Sequence, residues 1–76
     1  MPTALRIREF KVFFFSEEGN EPVQVHVWKG GGTAKFWLDP VRLAYAEGFK
    51  KQELGTIIRI LEAHESELIE AWNELE

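Results

Sequence analysis

The stretch from Val23 to Pro40 reads Val-Gln-Val-His-Val-Trp, then Lys-Gly-Gly-Gly, then Thr-Ala-Lys-Phe-Trp-Leu-Asp-Pro. Apolar and polar residues alternate on both sides of the glycines, a pattern that predicts a β-hairpin. Because side chains along a strand alternate between faces, the valines of the first arm and the apolar residues of the second share one face. The opposite face carries the remaining side chains of the two arms: Gln24, His26, Trp28, Thr33, Lys35 and Trp37.

The same alternation predicts the register of the hairpin. A slip of one residue would turn every apolar side chain of one strand to the other face, so Val25 must lie opposite Phe36 and His26 opposite Lys35. This register requires a loop of two or four residues, or of three residues with a bulge. The glycines at 30–32 supply the positive φ that such loops need.

The segment before the hairpin predicts one more strand. The run from Phe10 to Phe15 is aromatic and β-branched, and the polar stretch 16–22, with Gly, Asn and Pro, reads as its loop. We therefore expect a three-stranded antiparallel sheet, made of the N-terminal strand and the glycine-turn hairpin.

The segment after the hairpin predicts helices. Asp39 is a good N-cap, Pro40 suits the first helical position, and Gly48 is a natural stop, so a short helix is expected. A long helix is expected from about Lys51 to about Leu75 on the spacing of its apolar residues. The apolar stripe of this helix thins near the centre of the segment. The prediction is a single α+β domain over residues 1–76.

The amino-acid composition limits the classes of protein to which this chain can belong. The chain has 76 residues, no cysteine and a net charge of −4, so disulfides and thiolate metal sites are excluded. All nine Lys and Arg lie in residues 1–59, whereas residues 60–76 hold six glutamates. This acidic end is either a solvated helix face or a contact surface for a basic partner. The N-terminus lacks the apolar core of a signal peptide and no segment has transmembrane length, so we expect a cytoplasmic protein that does not enter membranes.

The sequence contains only weak indications of a catalytic or metal-binding site. Neither serine lies in an activating motif, and the two histidines are far apart without metal-ligand spacing, so no metal site and no cofactor are expected. The candidate catalytic residue is His26. Lys35 opposite it favours the neutral imidazole, which can act as a general base.

The hairpin also predicts a binding surface, formed by Gln24, Trp28, Lys29, Lys35 and Trp37. Tryptophans on a strand surface can stack on bases while lysines contact phosphates, as in single-stranded nucleic-acid binding. The alternative is that the two tryptophans form a diagonal cross-strand pair covered by a helix.

Several segments resemble a known bacterial family. These are Phe15–Pro22, Val25-His26-Val27, Ala34–Pro40, Gly48-Phe49 and the C-terminal Glu70–Glu74. Together they resemble domain of unknown function family 4160 over nearly the whole chain. That family typically reads Pro-Pro-His-x-His-Val before the glycine turn. This chain has Val23 for the second proline and Gln24 for the first histidine, which removes the histidine pair.

The resemblance implies an antiparallel sheet with C-terminal helices. It also implies a short bacterial protein often encoded beside another small protein, an arrangement similar to toxin–antitoxin operons. The leading functional hypothesis is therefore an interaction module that binds a small protein partner or a second copy through Leu68, Trp72 and Leu75. The alternative is an RNA-binding or RNA-cleaving protein that uses the hairpin face.

Overall fold

The computed structural model describes residues 3–14 and 23–75, with the side chains of residues 3, 4 and 75 excepted. Five strands form one antiparallel sheet in sequential order, and two helices follow. The elements are β1 (Thr3–Ile7), β2 (Phe10–Phe14), β3 (Gln24–Lys29), β4 (Gly32–Trp37), β5 (Arg42–Glu47), α1 (Lys51–Ala63) and α2 (Glu65–Leu75). The α+β class and the antiparallel sheet agree with the prediction. The predicted number of strands was wrong, because the sheet has five and not three.

The first additional strand is β1. The N-terminal segment folds back on itself at Arg8 and Glu9, so that Ile7 pairs with Phe10. Arg8 has a φ of 59°, a left-handed conformation that sequence patterns usually mark with glycine or asparagine. Because an arginine stands there, the sequence carries no turn signal and the segment reads as one strand.

The second additional strand is β5, where a short helix was predicted. Asp39 does not cap a helix; its φ of 64° places it in a turn, and its backbone N–H donates to Glu65 Oε2 at 3.1 Å. Residues 42–47 are mostly good helix formers, but pairing with the otherwise open edge of β4 satisfies their backbone groups. Tertiary pairing therefore overrides a local helix propensity, which is a weak preference.

The predicted hairpin register is confirmed. Val25 pairs with Phe36 and His26 pairs with Lys35. Lys29 pairs with Gly32, so the loop consists of the two residues Gly30 and Gly31. Gly30 has a φ of 56°, as a two-residue hairpin turn requires.

The hydrophobic core lies between one face of the sheet and both helices. The sheet contributes the apolar face predicted for the hairpin together with the matching face of β2, and the helices contribute five side chains. The buried residues are Phe10, Val12, Phe14, Val25, Val27, Ala34, Phe36, Leu38, Ile57, Ile60, Leu61, Leu68 and Trp72. We call this side of the sheet the helix-covered face.

The single long helix that was predicted is in fact two helices. The helical pattern ends at Ala63 and resumes at Glu65, with His64 at φ −112° and ψ 14° between them. The break lies where the apolar stripe thins, and Leu61 before it and Leu68 after it are both buried. Neither helix is long and apolar enough to cross a membrane.

A close backbone approach joins the hairpin turn to the start of α1. Gly48, at φ 79°, lies so near the turn that a Cβ there would sit 2.7 Å from the carbonyl oxygen of Gly31. A side chain at this position would also adopt a strained backbone conformation. Glycine is therefore required at 48 on two separate grounds.

Candidate functional site

The face of the sheet opposite the helices is the candidate site, and we call it the open face. Strand register assigns to it the side chains of Arg6, Lys11, Phe13, Gln24, His26, Trp28, Thr33, Lys35, Trp37, Arg42, Tyr45 and Glu47. Of these twelve, every side chain but Gln24 is partly or fully exposed. The two described helices pack on the other side of the sheet. The open face therefore presents six exposed and five partly buried side chains to a ligand.

Trp28 and Phe13 form an aromatic contact on this face. Their ring centroids are 5.0 Å apart in an edge-to-face arrangement with an interplanar angle of 68°. Such pairs contribute about 0.5–1.5 kcal/mol beyond the area they bury. Trp28 nonetheless remains 48% exposed, so the contact with Phe13 leaves much of the tryptophan accessible. The alternative interpretation, in which a helix covers the tryptophans, is wrong.

Lys35 lies at the centre of the open face. It pairs with His26 on β3 and with Tyr45 on β5, so the three residues form one row across neighbouring strands. The Lys35 ammonium lies 4.6 Å from the centroid of the Trp37 ring. A cation–π contact at an exposed site is worth only about 0.5–1 kcal/mol. An anion can therefore redirect this ammonium, because a charge-assisted hydrogen bond contributes about 1.5–3 kcal/mol.

A β-bulge places Tyr45 in this row. The register of β5 against β4 shifts between Lys35 and Phe36, and Ala44 has no partner in β4. In an unbroken register, Ala44 would face Lys35 and Tyr45 would turn to the helix-covered face. Bulges often redirect side chains beside functional sites, and here the extra residue brings a phenol to the open face.

A cleft of about 240 Å³ adjoins Trp28 at the turn end of the sheet. Its lining includes Lys11 from β2, which pairs with Trp28, and Arg6 from β1, and also Glu9, Lys29 and Gly30. A half-exposed tryptophan thus lies next to two exposed cations. This combination suits a planar group that carries an anion.

Charge is distributed unevenly between the two sides of the protein. Among the residues that the structure describes, the open face has four basic side chains, Arg6, Lys11, Lys35 and Arg42, and one acidic side chain, Glu47. The helices at residues 51–75 have two basic and six acidic residues. A chain whose net charge is −4 therefore presents a cationic surface on one side. An anionic ligand would be attracted to the open face and repelled by the helices.

Lys29, predicted to belong to the binding surface, lines the cleft beside Trp28, but its ammonium is engaged in ion pairs. Its Nζ forms ion pairs with Glu9 at 3.1 Å and with Glu53 at 3.3 Å, and it lies 5.5 Å from the centroid of the Phe10 ring. Glu9, through its hydrogen bond, raises the pKa of Lys29, and Lys29 in turn lowers the pKa of Glu9. The pKa of Glu53 is lowered first by the backbone N–H of Lys50. Lys29 therefore ties the hairpin turn to α1.

Two further predictions concern buried residues. Gln24 belongs to the open face but is only 2% exposed, so its amide is not presented at the surface. Leu68 and Trp72, predicted as partner contacts, are buried in the core of this chain, where the Trp72 ring packs edge-to-face on Phe14 with centroids 6.2 Å apart. The side chain of Leu75 lies outside the described residues. The structure thus gives Leu68 and Trp72 a core role, and a partner contact through α2 stays a prediction.

Two other features of the described residues lie apart from the open face. Within residues 3–14 and 23–75, no group of three or more His, Asp or Glu side chains is placed to hold a metal ion. A larger cleft of about 500 Å³ lies between the end of β1 and α1, lined by Ile7, Arg8, Thr56, Arg59, Ile60, Ala63 and His64. Three of its polar side chains make contacts within the chain: His64 Nδ1 lies 3.1 Å from Glu67 Oε1, Arg59 Nε donates to the Gly55 carbonyl, and Thr56 Oγ1 donates to the Gln52 carbonyl.

Sequence reasoning found part of the open face. The hairpin pattern identified His26, Trp28, Lys35 and Trp37, which the structure brings together as expected. It missed the contribution of β5, because the predicted helix gave Tyr45 a different environment. The sequence alternation gave only a weak signal for Tyr45, because the bulge reverses the face on which the alternation would place it.

Comparison with known proteins gives one finding. Neither a curated protein nor a solved structure matches the chain. A family model matches residues 10–73, which include β2 to β5, α1 and most of α2. The matched range contains the whole hairpin and the bulged strand that together carry most of the open face. The chain therefore belongs to the family described as Domain of unknown function (DUF4160).

Proposed function

We propose that this protein binds single-stranded nucleic acid on the open face. The observation that carries the proposal is the half-exposed Trp28, which contacts Phe13 and lies beside the cations of the adjoining cleft. Bases stack on exposed aromatic rings without regard to sequence, at about 1–3 kcal/mol per base. Trp37 and Tyr45 offer two further rings on the same face.

The spacing of cations supports the same ligand. Lys11 pairs with Trp28 and Arg6 pairs with Lys11, whereas Lys35 and Arg42 lie around Trp37. A single strand crossing the sheet can place successive phosphates near both pairs while its bases lie on the rings between them. A duplex keeps its bases stacked inside, so it cannot use these rings.

The experiment is a titration of a fluorescein-labelled 12-nucleotide RNA, followed by anisotropy at several salt concentrations. We expect binding that weakens with salt, with a slope of about −0.7 per phosphate contact. Arg42→Gln should weaken binding, whereas Arg59→Gln, an exposed arginine on α1, serves as the matched control and should leave it unchanged. No binding at high micromolar protein in low salt would refute the proposal.

A second candidate function, contact with a small protein partner or a second copy, is favoured by one observation on β5. This strand forms an edge of the sheet, and its Leu43 is 43% exposed beside the core. An exposed edge strand with an apolar side chain is a template for pairing with another chain. Sedimentation of the wild type and of Leu43→Lys tests it: a dimer that dissociates in the variant supports pairing, and a monomeric wild type removes self-association.

A further inference from the structure

We propose that the open face cleaves single-stranded RNA at the row formed by His26, Lys35 and Tyr45. The proposal rests on the proposed function and deepens it, because it assigns a substrate with a 2′-hydroxyl and a reaction. In this assignment His26 is the general base, Tyr45 is the general acid, and Lys35 with Arg42 holds the phosphate.

The register places the two proton-transfer groups on opposite sides of a cation. His26 and Tyr45 belong to β3 and β5, with Lys35 on the strand between them. Neighbouring strands lie ~4.8 Å apart, so the outer two backbones are roughly 9.5 Å apart. This separation leaves room for a phosphodiester and for one hydrogen bond of about 2.6–3.2 Å on each side.

The bulge at Ala44 is the second observation. Without it, Lys35 would face an alanine and the row would have a base and a cation but no acid. The extra residue brings a hydroxyl to this position, at the cost of one irregularity in an edge strand. Tyr45 is also 49% exposed, so its hydroxyl is accessible to a substrate.

The cations are placed to hold the reacting group. Lys35 already leans toward Trp37, and Arg42 pairs with Trp37 from β5. A nucleotide whose base stacks on Trp37 therefore has its phosphate near both positive side chains. Positive groups fixed beside the phosphate stabilise the charge that develops on its oxygens in the transition state.

The reaction is an internal transesterification. The His26 imidazole accepts the proton of the 2′-hydroxyl, and the 2′-oxygen forms a bond to phosphorus. The bond from phosphorus to the 5′-oxygen of the next nucleotide breaks, and Tyr45 donates its proton to that oxygen. The products are a 2′,3′-cyclic phosphate and a 5′-hydroxyl, and proton exchange with solvent restores both side chains.

The experiment follows cleavage and binding separately. A labelled 12-nucleotide RNA and the DNA of the same sequence are incubated with the protein in EDTA, and the products are separated on a denaturing gel and identified by mass spectrometry. We expect fragments ending in a 2′,3′-cyclic phosphate from RNA and none from DNA. General acid–base groups contribute about 10²–10⁴-fold, so His26→Ala and Tyr45→Phe should each slow cleavage at least ~100-fold while changing affinity for the DNA less than about 3-fold.

The chain offers a matched control for the base. His64→Ala removes the other histidine, which lies outside the open face, and should leave the cleavage rate unchanged. RNA that binds and stays intact overturns the cleavage proposal while the binding function stands. Absence of binding to both oligonucleotides overturns both. Cleavage that is equal in the wild type and in His26→Ala, or that gives 3′-phosphate ends from the outset, identifies a contaminating nuclease and also overturns it.

Discussion

Replacing Trp28 or Trp72 by alanine distinguishes a tryptophan of the proposed binding surface from a tryptophan of the hydrophobic core. Trp72 is 9% exposed and Trp28 is 48% exposed, so Trp28 buries roughly half as much of its side chain. A core Trp→Ala change costs about 3–5 kcal/mol, which is the expectation for Trp72. Scaling by the buried fraction gives about 2 kcal/mol for Trp28, including the loss of its contact with Phe13.

Trp28→Ala should cost less stability than Trp72→Ala but should have the larger direct effect on RNA binding. Trp28→Ala should raise the Kd for single-stranded RNA about 5- to 150-fold, the equivalent of ~1–3 kcal/mol for one lost stacking contact. Urea denaturation measures the stability of both variants, and anisotropy measures binding of Trp28→Ala under conditions where it stays folded. The reasoning is refuted if Trp28→Ala costs as much stability as Trp72→Ala, or if it stays folded and binds RNA as tightly as the wild type.

Four further outcomes follow from the structure. Lys35→Ala should reduce the magnitude of the salt slope of RNA binding by about 0.7, the value for one phosphate contact, whereas Lys51→Ala on α1 should leave it unchanged, as titrations at four salt concentrations would measure. Lys29 lowers the pKa of the Glu9 carboxyl below its ordinary value of 4.5. The ion pair therefore stabilises the fold above pH 4.5, and this stabilisation is lost as the pH falls through the lowered pKa. Lys29→Met should therefore flatten the fall in unfolding midpoint on acidification, and an unchanged pH profile would contradict this. Gly48→Ala should destabilise the fold by about 1–3 kcal/mol in urea denaturation, since it forces a strained φ beside the hairpin turn. A chain that ends at Glu65 lacks two large core side chains of α2, each worth about 1.5–3 kcal/mol, and should show a much lower thermal midpoint; a truncated chain as stable as the full one would remove α2 from the core.

The part of the fold that the sequence predicts is the part fixed by local alternation. The hairpin register follows because Val25 and Phe36 must share a buried face and two glycines can form the turn. The turn at Arg8 escapes prediction because its positive φ is imposed by the pairing of β1 with β2 and not by a glycine. β5 escapes for a related reason, since its helix-forming residues pair with an edge that only the folded sheet provides.

The candidate site shows the same division. His26, Trp28, Lys35 and Trp37 could be grouped from the hairpin alone, because one register places them on one face. Lys29 could not be assigned, because its carboxylate partners come from a turn and a helix far along the chain. The exposure of Trp28 also depends on which face of the sheet the helices cover, and this is determined by the packing of the whole chain.

The sequential order of the strands has a consequence for how the chain folds during synthesis. Each strand pairs with the one made just before it, so the sheet can zip up hairpin by hairpin with short loop closures, which favours rapid folding. The two helices that cover its apolar face are made after it. Until residues 51–75 have left the ribosome, the nascent sheet presents Val12, Val25 and Phe36 uncovered to the cell, and such surfaces promote aggregation. This protein therefore has most need of a chaperone in the interval before its two helices leave the ribosome.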